Sequence, residues 1–325
     1  MPSSQHYRPP GPLGFGGAPL GNMFAPVPDE EARAAMEAAW DAGYRYFDTA
    51  PHYGSGLSEH RFGEVLRTRN RDDFVLSTKV GRLLSPADKG DDSMFKQPLP
   101  FAARYDYSAD GVLRSLEDSY QRLGLSRVDI VYIHDVAADH HGETWTEQFA
   151  IAMNGAARAL TRLREEGVIK GWGLGVNLVE PCLRALEESD PDCFLLAGRY
   201  SLLDLAGLDD LLPACAERGV SVVVGGPFNS GLLAGGNTFE YAEAPDEKVQ
   251  ARDRLRAIAA EHGVDLRAAA LQFCAAHPAV AAVIPGTKSA DKARTNMDLV
   301  HQAIPAEFWK ALKAGGILPE HAPTP

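Results

Sequence analysis

The sequence predicts a single-domain α/β fold, a closed (β/α)8 barrel of the TIM type over residues 10–302. Two observations point there. Eight short apolar runs, each followed by a helical pattern, alternate along roughly 300 residues, the rhythm of a parallel sheet wrapped by helices. The runs are continuous rather than alternating, as expected of strands covered on both faces. No compositional break or linker divides the chain, and an open, doubly wound sheet is the competing arrangement. Residues 1–9 stand outside as an N-terminal extension and residues 303–325 as a C-terminal tail ending in HAPTP.

The first strand is the glycine-rich run PLGFGGA (12–18). A helix over 29–42 places Ala32, Ala35, Met36, Ala39 and Trp40 on one stripe, opened by Pro28 and Asp29 and closed by Gly43. Strand YRYFDTA (44–50), a helix around 57–69 and strand DFVLSTKV (73–80) follow. A polar stretch, 82–107, precedes a helix over 108–123 with Ser108 as N-cap and Gly124 at its end. Then come strand VDIVYIHD (128–135), a helix over 147–166, strand IKGWGLGV (169–176) and a helix over 180–189. Strand CFLLAGR (193–199), a helix over 208–218 and strand VSVVVGG (220–226) continue the alternation. After a loop of about 20 residues, helices over 247–262 and 265–276, strand AVAAVIPG (279–286) and a helix over 289–302 complete it.

Lys and Arg number 32 against 44 Asp and Glu, a formal net charge of −12 in 325 residues. Such a chain repels phosphate backbones and anionic membranes, so the expected partner is a small-molecule substrate, with no nucleic acid and no membrane. Cys182, Cys193, Cys215 and Cys274 lack CxxC spacing and read as reduced thiols of a cytoplasmic protein. The start MPSSQHYRPPGPLG lacks the pattern of a signal peptide, and no apolar run approaches the ~18 residues of a membrane span.

In a barrel of this kind the active site is built at the C-terminal ends of the strands. The second strand ends at Asp48, with His52 and Tyr53 in the loop beyond; the third ends at Lys79; the fourth ends at His134 and Asp135. Taken singly, Asp48 reads as a turn cap, Lys79 as a solvated strand end, His134 as a core histidine and Tyr53 as packing. Together, on three consecutive strands, they read as a site. An Asp and a Lys ending buried strands neutralise each other if they face one cavity. A cation beside Tyr53 is expected to lower its phenol pKa and make it a usable acid or base.

The stretch DTAPHYG resembles the D-T-A-x-x-Y-G motif of the aldo-keto reductases, NAD(P)-dependent (β/α)8 oxidoreductases. STKVG resembles that family's lysine strand, YIHD its histidine strand, and VIPGTKSADKARTNM its cofactor loop. The resemblance implies a catalytic tetrad of Asp48, Tyr53, Lys79 and His134. It also implies an NAD or NADP site drawing on Gly16, Gly17, Asp48, Asn177, Tyr200, Pro227, Phe228, Gly231, Gly286, Thr287, Lys288, Ser289, Lys292 and Asn296. Independently, the loop and helix start after the eighth strand are where barrels often bind phosphate. The family's Gln before the sixth-strand Tyr is Ala197 here, and its stacking aromatic after the seventh strand is replaced by Gly225 or Gly226, with Phe228 as the substitute.

APLGNMF, DDFVLSTKVGRLL, LLAGRYSLLD and VVVGGPFNSGLLAGG narrow the resemblance to a branch of D-threo-aldose (L-fucose, D-arabinose), L-galactose and pyridoxal 4-dehydrogenases. These take a cyclic hemiacetal to a lactone. The resemblance thus implies an aldose such as L-fucose, D-arabinose or L-galactose as substrate. Pyridoxal 4-dehydrogenase, a general aldehyde or ketone reductase, and a cofactor-sensing binding subunit are the alternatives. His52, Tyr53, His134, Arg104 and Tyr105 are the expected substrate contacts. The pair His140–His141 lacks further ligands at metal spacing, so no metal is expected. The sequence leaves NAD against NADP and the oligomeric state open.

Overall fold

The structure is a computed structural model that describes residues 6–91 and 93–325. Its strands are β1 (Phe15–Gly16), β2 (Tyr46–Asp48), β3 (Val75–Val80), β4 (Arg82–Pro86), β5 (Phe101–Tyr105), β6 (Ile130–His134), β7 (Gly171–Val176), β8 (Cys193–Ala197), β9 (Ser221–Gly225), β10 (Thr238–Phe239), β11 (Ala242–Glu243) and β12 (Val280–Ile284). Eight of them form one parallel sheet in the order β1-β2-β3-β6-β7-β8-β9-β12. Bridges Leu13↔Val283 and Gly16↔Gly286 and the bond from Gly14 N to Val283 O (2.9 Å) join its edges, so the barrel closes.

The helices of the outer ring are α1 (Asp29–Asp41), α2 (Leu57–Leu66), α3 (Ala109–Leu123), α4 (Ala138–His141), α5 (Trp145–Ala152), α6 (Arg158–Glu165), α7 (Val179–Glu188), α8 (Leu211–Arg218), α9 (Asp246–Glu261), α10 (Leu266–Ala276), α11 (Ala290–Val300) and α12 (Ala306–Ala314). None of the described helices is long and apolar enough to cross a membrane.

The pleat divides each strand between two layers. Tyr46, Ile130, Tyr132, Cys193, Leu195, Val223, Ala282 and Ile284 form one buried cluster inside the barrel. Their chain neighbours Phe47, Val131, Ile133, Phe194, Leu196, Val222, Val224 and Val283 pack in the layer shared with the helices. Both layers are dry, which is why the strands read as unbroken apolar runs. The same period of two puts Asp48 over Tyr46, Lys79 over Ser77 and His134 over Tyr132, so three ionisable groups share the upper interior.

Four regions differ from the sequence reading. The polar stretch 82–107 contains an antiparallel ribbon, β4 paired with β5, rather than loop alone. The helix over 147–166 is α5 and α6 joined through a π turn, Met153–Ala157. At that turn Gly155 lies so close to the chain below that a Cβ would stand 2.6 Å from Tyr107 O. The loop before α9 folds back as the ribbon β10–β11. The C-terminal segment, expected to be a tail, holds α12, whose Phe308, Trp309 and Leu312 are buried against α9.

At the opposite end the N-terminal segment caps the barrel floor. Tyr7 N donates to Asp192 Oδ1 (3.0 Å), and Arg8 donates to Val280 O (2.6 Å) and Pro278 O (3.1 Å).

Candidate active site

Asp48 ends β2 and the chain turns at once. Thr49 N donates to Ser77 O (3.0 Å) and Tyr53 N to Ala50 O (3.1 Å), which bends the loop back over the barrel mouth. Gly54 (φ +67°) and Gly56 (φ +96°) take backbone conformations that other residues adopt only with strain, and Gly54 lies against Gly21, with no room for a side chain. Ser58, near the start of α2, locks the turn by donating to Gly17 O (2.9 Å).

Inside this turn Lys79 Nζ donates to Asp48 Oδ2 (2.7 Å) and to Thr49 O (2.9 Å), while Ser77 Oγ donates to Asp48 Oδ1 (2.6 Å). Asp48 and Lys79 are each 1% exposed. The Lys79 ammonium lies 4.7 Å from the centre of the Tyr53 ring, and His134 stands on another side of that ring, 6.0 Å centre to centre. His52 packs edge-on to His134 (6.0 Å) and to Phe95 (5.1 Å).

Burial dominates the electrostatics. It pushes the Asp48 carboxyl up, against the pull of Lys79 and Ser77. It holds the Tyr53 phenol well above its ordinary range, with the Asp48 and Asp135 carboxylates adding to the rise and Arg82 opposing it. The lowering of the phenol expected from the neighbouring cation is therefore outweighed. An ammonium over the ring face favours the phenolate, but desolvation of a fully enclosed phenol outweighs it. His134 is held neutral, well below the usual imidazole range, by burial and by the Lys79 and Arg82 cations. His52 is pushed down to about 4 by burial and Arg82. Asp135 takes a strained φ of +58° and accepts from Arg82 Nε (2.9 Å). Burial pushes its carboxyl up, but the neighbouring His134 ring and Arg82 guanidinium outweigh burial and hold it far below the carboxylate range.

A cavity of about 680 Å³ runs from Tyr53 and Asp48 across the strand ends to the start of α11. Gly16, Gly17, Asn177, Pro227, Phe228, Gly231, Gly286, Thr287, Lys288, Ser289, Lys292 and Asn296, all expected from sequence, line it. A Cβ on Gly16 would stand 2.9 Å from Ile284 O, so the wall there must stay bare. At the far end Ser289 caps α11, accepting from Lys292 N (3.4 Å). Lys288 and Lys292 are exposed and make no ion pair among the described residues. An elongated cavity with a proton carrier at one end and a helix start with two free ammonium groups at the other fits a dinucleotide, whose phosphates favour such a helix end. Among the described residues no cluster of three His, Cys, Asp or Glu side chains could hold a metal ion.

Other expected residues lie elsewhere. Tyr200 does not reach the cavity: the chain turns at Gly198 (φ +73°), and the ring packs wholly buried on Phe273, 5.0 Å away. Arg104 is exposed on β5 and pairs with Asp106 (3.0 Å). Tyr105 stacks at the rim on Tyr107 and under the Arg82 guanidinium (4.6 Å). His52 and His134 flank Tyr53 without lining the main cavity. Arg199, Glu240, Arg267 and Phe24 also line the cavity. Arg199 stands at the end of the apolar run CFLLAGR, a position that marks it, whereas Arg267 comes from the start of α10 and carries no sequence signal.

Comparison with known proteins agrees with this geometry. Residues 12–316 match the Aldo/keto reductase family. A pyridoxal 4-dehydrogenase of Microbacterium luteolum is 45% identical, covering 94% of each chain. A D-threo-aldose 1-dehydrogenase of a Pseudomonas species is 40% identical, again over 94% of each. The solved structure of an aldo-keto reductase from Bacillus halodurans superposes with a TM-score of 0.72 at 25% identity, covering 98% of this chain and 99% of that one. The chain belongs to the aldo-keto reductase family of oxidoreductases.

Proposed function

We propose that this enzyme oxidises a cyclic hemiacetal to its lactone, with an aldose lactol such as L-fucose, D-arabinose or L-galactose as substrate. The observation that carries the reading is the buried Asp48–Lys79 pair set against Tyr53 at the head of the cavity. When bound, NAD or NADP would accept the hydride removed from the anomeric carbon. Gly16, Gly17, Asn177 and Phe228 would hold its nicotinamide half, and Ser289, Asn296, Lys288 and Lys292 its adenosine half.

Tyr53, once ionised to the phenolate, takes the hydroxyl proton as the anomeric C–H bond breaks, leaving a C=O bond and the ring oxygen unchanged. Lys79, fixed by Asp48, lowers the cost of phenolate formation. His134, neutral, bonds the same substrate oxygen and orients it. Four buried free thiols support a reducing, cytoplasmic setting.

Pyridoxal, which also closes into a hemiacetal, is the second reading. Two exposed aromatic rings at the cavity, Phe24 (45%) and Tyr241 (40%), favour a planar ligand. Initial rates of NADH and NADPH formation from L-fucose, D-arabinose, L-galactose and pyridoxal test both. Turnover of an aldose supports the first reading and turnover of pyridoxal alone the second; silence on all four overturns the dehydrogenase assignment.

A further inference from the structure

The barrel interior below the tetrad is not purely apolar. We propose that a one-way chain of buried donors, Cys193 to Tyr132 to Tyr46 to Ser77, holds Asp48 as the anion, keeps the shared proton on Lys79, and so sets the proton affinity of Tyr53. Tyr46 and Tyr132 are positioning residues: they act through Ser77 and Asp48 and touch no substrate.

The distances run without a gap from β8 to β2. Cys193 Sγ lies 3.6 Å from Tyr132 Oη, Tyr132 Oη 3.1 Å from Tyr46 Oη, Tyr46 Oη 3.1 Å from Ser77 Oγ, and Ser77 Oγ 2.6 Å from Asp48 Oδ1. Cys193, Tyr132 and Ser77 are fully buried and Tyr46 is 1% exposed. The sense of the chain follows from counting protons. A carboxylate only accepts, so the Ser77 hydroxyl must donate to it. Ser77 has no second proton, so Tyr46 donates to Ser77. By the same count Tyr132 donates to Tyr46, and the Cys193 thiol to Tyr132. Each hydroxyl is polarised toward Asp48, and such chains strengthen one another where the dielectric is low.

Packing alone does not account for these residues. Phe at positions 46 and 132 would fill the same space without burying two hydroxyls, and interiors of such barrels are commonly filled by branched apolar side chains. Asp48 has lost its water, and Lys79 can satisfy only one of its oxygens. The chain supplies a donor to the other.

This inference rests on the reading that Tyr53 exchanges the substrate's proton. The charged and titratable groups around Tyr53 are Asp48 and Lys79 below it, His52 beside it in the same loop, His134 and Asp135 at the end of β6, Arg82 from β4, and Tyr241 from the β10–β11 turn. Of these, the chain contacts Asp48 alone. Removing a link therefore weakens the anion, loosens the proton from Lys79 and raises the Tyr53 pKa.

The test is a graded series, Tyr46→Phe, Tyr132→Phe and Cys193→Ala, read as the pH profile of kcat/KM for NADPH-dependent reduction of p-nitrobenzaldehyde. This probe does not depend on the sugar reading, which the aldose panel tests separately. Tyr46→Phe is expected to move the tyrosine limb up by about 0.5–1 pH unit, the size that one net hydrogen bond supports, with KM unmoved. Tyr132→Phe should move it less and Cys193→Ala least. The same series is read without substrate by tyrosinate difference absorbance against Tyr53→Phe. If Tyr46→Phe does not fold, Tyr132→Phe carries the same test one link further away. A uniform fall in rate with the limb unmoved, or no change in either readout, overturns the proposal.

Discussion

Both ends of the barrel bury carboxylates, and they partner them differently. At the floor, Asp129 accepts from Leu76 N (2.9 Å) and pairs with Arg71 (2.5 Å) and Lys170 (2.9 Å). Asp192 accepts from Tyr7 N (3.0 Å), Trp172 N (3.1 Å) and Arg164 (3.0 Å). These partners are guanidinium forks, backbone amides and, on Asp129, the half-exposed ammonium of Lys170, and they pin strand ends and the N-terminal cap in place. At the mouth, Asp48 is held by a lysine and a serine hydroxyl, and next to them stand a phenol and an imidazole. Every group there can gain, lose or share a proton. The difference separates an end built to hold from an end built to react, as expected of this architecture.

The sharpest way to break that comparison is to remove one charged member of a buried ion pair at each end. Lys79→Met should lower turnover by roughly a thousandfold, because it removes the charge beneath Tyr53 and strands Asp48, which then takes up a proton. Steady-state rates check it, with retained cofactor fluorescence quenching showing that the cavity still forms. Asp129→Asn at the floor should do the reverse. Urea unfolding should show a loss of about 1–3 kcal/mol, moderated because Lys170 is half exposed, while kcat changes less than about twofold. A large kcat effect from the floor would erase the distinction.

Acid should also act at the mouth first. His52 is neutral when folded, its pKa down at about 4, and ordinary when unfolded, so the unfolded chain binds more protons below pH ~6.5. Its contribution is complete above that pH and is lost as pH falls toward the folded value, by about 1–3 kcal/mol. His52→Asn should flatten this part of a stability–pH curve, and an unchanged slope would contradict the assignment. The smallest effect is expected far from the chemistry. Lys288→Ala with Lys292→Ala should weaken NADPH binding by about fivefold and NADH binding less, as expected of exposed charges; fluorescence titration reads both.

Much of the barrel was legible because eight apolar runs are separated by caps and glycines, and because Asp48, Lys79 and His134 stand together at the C-terminal ends of three runs that are mostly apolar. The ribbon β4–β5 was not, since a two-stranded arm covered on one side has neither a helical stripe nor a buried-strand pattern. Nor was α12, whose Phe308 and Trp309 acquire meaning only against α9. The pleat phase decides the rest. Tyr46, Tyr132 and Cys193 look like ordinary core residues until the register brings three strands together over Ser77. Tyr200 looks like a cavity residue until the turn at Gly198 sends it outward. The raised Tyr53 phenol follows from the depth of burial, a quantity with no local sequence signature.

The most direct test of the account compares wild type with Tyr53→Phe for NADH formation from the aldose or pyridoxal that the panel identifies, alongside fluorescence titration of the cofactor. The account predicts that turnover falls by at least about a hundredfold while cofactor binding persists. Equal rates in the two proteins would contradict it.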